Sequence, residues 1–236
     1  MTIKIINIFF ISIILFGCSN TIERKDSTQY DKGSFSQLKK SDFDRMADYE
    51  VRENIESLKI LALKLYKKNP QELRKTTSDS PEKTISWLFG HKHNWLFSEI
   101  NNSQDVEALN QVFDNNFKGD RVLSLITGLY TMLLKAHDGK INFDMLDSLD
   151  PQLIYNVARN IEVVVWRLSS KRNDLGRPFL LTNEVNGNTA NLSFEREFGK
   201  IIGRTDYFAY VLSEKNERFI TRAIQSASVR VFLPFL

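Results

Sequence analysis

Val122-Leu-Ser-Leu-Ile-Thr-Gly-Leu-Tyr-Thr-Met-Leu-Leu-Lys-Ala136 is apolar on nearly every side of a helical turn. A second run, Leu153-Ile-Tyr-Asn-Val-Ala-Arg-Asn-Ile-Glu-Val-Val-Val-Trp-Arg-Leu168, has the same character. A helix without a polar face is surrounded by protein. A membrane span is the rival reading, but it needs about 20 apolar residues, and Arg121 and Lys135 bracket the first run too tightly. The Val163–Val165 triplet favours a strand by propensity. Its flanks, Arg159, Glu162, Arg167 and Leu168, nevertheless keep helical spacing. The two runs predict the centre of an all-α, multi-helix globular bundle occupying residues 42–236.

Upstream, Phe43, Met46, Ala47, Val51, Ile55, Leu58, Leu61, Ala62 and Leu65 recur at three- and four-residue spacing from Ser41 to Asn69-Pro70. That is the period of an amphipathic helix. Asn69-Pro70-Gln71-Glu72 then reads as a fresh start, with a capping Asn, Pro in the first turn and Glu three residues on. Ser80-Pro81 and Asp150-Pro151 repeat the signal. Downstream, 173–191 loses periodicity around Gly176, Pro178 and Gly187. Irregular stretches of this length are functional or mobile. Helical spacing resumes at Ser193, runs through Asp206 to Leu212, and returns from Glu214 to Val231. The apolar C-terminus, 229–236, predicts a tail docked on the core.

The N-terminus has a different character. Lys4 precedes an apolar stretch from Ile5 to Phe16, too short to span a bilayer, and then comes Leu15-Phe16-Gly17-Cys18. This resembles the lipobox of bacterial lipoproteins. The resemblance implies a signal peptide over 1–17, cleavage between Gly17 and Cys18, and acyl chains (palmitate among them) on Cys18. The physics of an anchor agrees: a buried methylene contributes about 0.8 kcal/mol, and stable attachment takes more than one chain. Cys18 is the only cysteine, so a disulfide is excluded once its thiol is acylated. Residues 18–41 are polar and without period, which predicts a flexible tether spanning about 25 Å. Ser19 rather than Asp follows the cysteine. By the same resemblance, this places the chain at the outer membrane with its domain facing the periplasm.

Chemical signatures are sparse. No Gly-x-Ser-x-Gly, phosphate-loop or dinucleotide fingerprint occurs. His91-Lys92-His93 lacks a third metal partner at a ligand spacing and reads as a solvated loop. His137 before Asp138-Gly139 reads as a helix end. Aligning Gly139 with the glycine of a calcium loop puts Leu134, Ala136 and Met145 where oxygen ligands belong, so calcium is excluded. Gly199-x-x-x-Gly203 suggests close helix packing or a helix end. Net charge is +3, or +2 without Lys4, which is too balanced for nucleic acid. No cofactor, metal or catalytic residue is expected.

One local repeat stands out: Trp87-Leu88-Phe89 and Trp95-Leu96-Phe97 flank Gly90–Asn94. Trp87 and Trp95 either form an aromatic binding surface or anchor a bent connection to the core. The sequence therefore predicts a lipid-anchored, non-catalytic envelope protein that binds another envelope protein or a lipid. The alternative is a periplasmic hydrolase of peptidoglycan or lipid, with Arg177, Asn183 and Glu184 as first candidates in the irregular loop.

Overall fold

A computed structural model of the protein describes residues 41–91, 93–144, 149–186, 189–217, 220, 232 and 233. The expected signal peptide, Cys18 and residues 19–40 of the expected tether lie outside the described residues, as does most of the helix expected up to Val231. Among the described residues no helix is long and apolar enough to cross a membrane. The fold is all-α, with seven α-helices and one hairpin of two three-residue strands among the described residues.

Helix α1, Asp42–Lys68, starts with a capping box. Ser41 Oγ accepts from Asp44 N at 3.2 Å, and Asp44 Oδ2 accepts from Ser41 N at 2.9 Å. Helix α2, Pro70–Thr76, follows at once. Asn69 does not cap it through its side chain. Instead its amide closes two hydrogen bonds with the backbone of Leu181, one from Nδ2 to the carbonyl and one from the Leu181 N–H to Oδ1. The irregular loop is thereby pinned to the helical layer. Helix α3, Pro81–Gly90, starts at Ser80, whose hydroxyl accepts from Lys83 N.

A short helix α4, Asp105–Gln111, leads into α5, Arg121–Ala136. Asp120 caps α5 by accepting from Val122 N at 2.8 Å and Leu123 N at 3.0 Å. Gly139, at φ +73°, closes it by donating to the Leu134 carbonyl. Helix α6, Pro151–Ser170, carries Val163–Val165 inside the helix. Tertiary burial overrides the β propensity of that triplet. Strands β1, Glu184–Asn186, and β2, Thr189–Asn191, pair antiparallel. Helix α7, Ser193–Asn216, is continuous through the polar Ser213-Glu214 step that the sequence pattern reads as a break.

Helix α5 packs against α1, α4 and α6, while α7 packs against α1 and α6. Leu123, Leu125, Ile126 and Leu133 of α5 and Ile154, Val157, Ile161 and Val164 of α6 are buried in one cluster. Burial of each such side chain contributes about 1.5–3 kcal/mol. The approach of α4 to α5 requires Gly128, because a Cβ there would stand 2.8 Å from the Asp105 carbonyl oxygen. Gly199 and Gly203 do neither of the things their spacing suggests. Both lie inside α7, and a Cβ on either meets nothing within 4 Å.

The described part of the C-terminus docks as expected. Asn160, fully buried on α6, accepts from Leu233 N at 2.6 Å and donates to the Leu233 carbonyl at 3.1 Å. The Arg167 guanidinium covers the Phe232 ring at 4.3 Å.

Candidate functional site

The repeated aromatic triplet folds in two ways. Trp87-Leu88-Phe89 is helical, so its side chains fan out by about 100° per residue: Leu88 is buried while Trp87 is 42% exposed. Trp95-Leu96-Phe97 leaves the helix, and its side chains alternate. Trp95 and Phe97 turn inward at 8% and 6% exposure, and Leu96 turns outward at 51%. The two readings of the tryptophans thus divide between them: Trp95 anchors the connection and Trp87 faces solvent.

His93 organises the turn. Its Nε2 donates to the Leu88 carbonyl at 2.8 Å, and its Nδ1 accepts from Trp95 N at 3.1 Å. Both ring nitrogens are occupied, so His93 is a structural residue rather than part of a solvated loop. Trp87 stacks on its ring at 5.2 Å, and Phe97 lies 4.7 Å away. Trp95 stacks at 3.9 Å on Tyr130 of α5, and Phe89 meets both of these rings edge-on. Burial raises the Tyr130 hydroxyl pKa, and the Trp95 indole beside it partly offsets this.

The backbone here is strained. Asn94, Trp95, Asn101, Asn102 and Asp105 all have positive φ. Asn and Asp tolerate that region, but a bulky residue does not, so Trp95 at φ +57° is the outlier. Gln104 holds it in place by donating from Nε2 to the carbonyls of Asn94 at 2.8 Å and Trp95 at 3.2 Å. Between this turn and α5 opens a pocket of about 400 Å³, bordered by His91, Asn94, Trp95, Gln104, Tyr130 and Leu134. None of its lining residues among those described is Asp, Glu, Lys or Arg.

The irregular loop forms a second cleft of about 330 Å³, with Glu72, Arg121, Asp174 and Arg177 along it. Its charges are largely engaged. Both Glu72 oxygens accept from Lys75 Nζ at 2.8 Å, and Oε2 also accepts from Arg121 N. Arg121 donates to the Val112 and Asp114 carbonyls, and Asp174 Oδ1 accepts from Asn115. Arg177 is exposed on the rim. Asn183 points elsewhere and donates to Glu195 Oε1 at 2.9 Å. Glu184 contributes its backbone to β1, and its side chain lies outside the described residues. Arg177 and Asn183 are therefore not brought to one site.

The residues missed in the sequence are Tyr130 and Gln104, the far wall and the clamp of the aromatic pocket. Asn94 and Asn101-Asn102 carried a usable signal, since Asn is enriched at left-handed turns. Among the described residues no three His, Cys, Asp or Glu side chains converge on a metal position. In comparisons with known proteins the chain matches no family model, no curated protein and no solved structure.

Proposed function

We propose that this chain is a lipid-anchored envelope protein whose helical domain is a non-catalytic binding module, with the aromatic pocket of residues 87–105 and Tyr130 as its binding site. The anchor reading is supported by Leu15-Phe16-Gly17-Cys18 and by the placement of the only cysteine there. The same resemblance puts the domain at the outer membrane, facing the periplasm. The observation carrying the binding site is the strained turn itself. A tryptophan at positive φ persists only where its surroundings over-determine it, and such strain clusters at ligand sites. Here it holds a pocket open beside an exposed indole. The 173–181 cleft supports hydrolysis less well, because its carboxylates are already bound to neighbouring donors.

Two measurements in cells test this. Acyl labelling should follow the wild-type chain and disappear in Cys18→Ala, and labelling of that variant would refute the anchor. A photo-crosslinking residue at Trp87 should yield a discrete adduct, whereas one at Tyr207, 66% exposed on α7, should not. Equal labelling from both positions would remove the site.

A further inference from the structure

We infer that the aromatic pocket receives a neutral saccharide, an assignment that rests on the binding-module reading above. Among the described residues the lining holds no Asp, Glu, Lys or Arg, so no described carboxylate, ammonium or guanidinium there rewards a charged ligand. Its unspent polar atoms are of a particular kind. His91 Nδ1 is held 3.2 Å from the Trp87 carbonyl and donates to it, which leaves Nε2 as an acceptor. Gln104 uses its amide N–H groups on the turn and keeps Oε1 free to accept. The Tyr130 hydroxyl, on the ring that Trp95 stacks against, can both give and accept a hydrogen bond. The exposed Asn94 amide offers both roles.

An acyl chain would leave these acceptors without partners, and an anionic group would find no described cation to offset its desolvation. A sugar hydroxyl both donates and accepts. Trp95, Tyr130 and Leu134 give the wall an apolar face that suits the C–H face of a sugar ring, and the neighbouring Thr131 hydroxyl is already bonded to Asp105 N and the Thr127 carbonyl. The volume falls within the range of small-ligand sites. Trp87, stacked on His93 at its outer side, presents a second flat surface for a neighbouring ring.

The test titrates the full acylated chain in detergent with maltose and with the disaccharide of N-acetylglucosamine. Tryptophan fluorescence and saturation-transfer NMR supply the readouts. Glucuronate, inorganic phosphate and myristate serve as comparisons. At least one neutral disaccharide should bind, and Asn94→Gly and Tyr130→Phe should each weaken it by about fivefold, the loss of one hydrogen bond. Asn94→Gly keeps the positive-φ backbone, and unchanged circular dichroism certifies the fold of both variants. Tighter binding of glucuronate, phosphate or myristate would overturn the assignment. So would neutral binding that neither variant weakens. If no sugar binds while the Trp87 crosslink persists, the saccharide fails and the binding module stands. If both are lost, the parent reading falls as well.

Discussion

Glu50 of α1 and His137 at the end of α5 meet inside the core, with Glu50 Oε2 3.0 Å from His137 Nε2 and both side chains withdrawn from solvent. His137 Nδ1 donates to the Leu133 carbonyl at 2.8 Å, and Phe208 of α7 stacks on the ring. The other oxygen, Oε1, accepts from Asn54 at 2.5 Å and from Thr205 at 2.8 Å. One carboxyl group thus joins α1, α5 and α7.

Its removal should show that role. Glu50→Ala leaves Asn54, Thr205 and His137 buried without their partner, and breaking a buried pair in this way costs about 3–5 kcal/mol. Glu50→Gln keeps an acceptor for Asn54 and Thr205 and offers an N–H to His137 Nε2. Its loss should be about 1 kcal/mol. Denaturant unfolding of the two variants measures the difference, and equal losses would contradict a role through these bonds.

Asp120 makes the stability depend on pH. Its carboxyl caps α5 and accepts from Tyr66 Oη and Thr76 Oγ1, each at 2.9 Å. Burial raises its pKa from 3.8 to about 6, against the pull of those donors. A carboxyl with a raised folded pKa binds its proton more tightly in the fold than in the unfolded chain. The associated stability is complete below about pH 4 and is lost as pH rises through about 6, roughly 3 kcal/mol in all. Asp120→Asn keeps one capping oxygen and cannot ionise. The wild-type minus variant difference in unfolding free energy should therefore fall between pH 4 and 7. A flat difference would show that Asp120 ionises in the fold as it does in water.

Two glycines inside helices should respond oppositely to the same change. Gly128→Ala forces a Cβ onto the Asp105 carbonyl and the Leu109 side chain, both 2.8 Å away. Overpacking of this kind costs about 1–3 kcal/mol. Gly203→Ala meets nothing, and the gain in helix propensity should stabilise by about 0.5–1 kcal/mol. Thermal melts of the two proteins should shift in opposite directions.

Those glycines also mark where sequence reading succeeds and where it stops. Helix α1 was legible from its long apolar periodicity and α5 and α6 from runs apolar on nearly every side, while Ser41, Asn69-Pro70, Ser80-Pro81 and Asp150-Pro151 announce the starts of α1, α2, α3 and α6. Gly199 and Gly203 suggested a packed face, but spacing records only that two residues share a side of α7, not what that side meets. Helix α4 escaped notice because it spans two turns between irregular stretches. The hairpin strands β1 and β2 were too short to show alternation. At the site, the Trp-Leu-Phe repeat was visible, whereas the inward turn of Trp95 depends on where α3 stops. Tyr130 lies 35 positions beyond Trp95, and folding alone brings the two rings together. Arg177 and Asn183 are close in the chain but diverge once Asn173 closes a tight turn on the Arg177 N–H.

The clamp on that tryptophan gives the last prediction. Gln104→Leu preserves bulk and removes both donors to the Asn94 and Trp95 carbonyls. Those carbonyls sit near the surface, where water can replace the amide, so global stability should fall by only about 1 kcal/mol. Local order should suffer more, because Trp95 at positive φ returns to an unstrained conformation when nothing holds it. Amide exchange at Trp95, whose N–H donates to His93, should accelerate by about tenfold or more while exchange in α5 and α6 stays unchanged. The near-ultraviolet signal of the Trp95–Tyr130 stack should weaken in parallel, and crosslinking from Trp87 should drop. Exchange at Trp95 unaltered by the substitution would mean that the ring stack, rather than the amide, holds the turn.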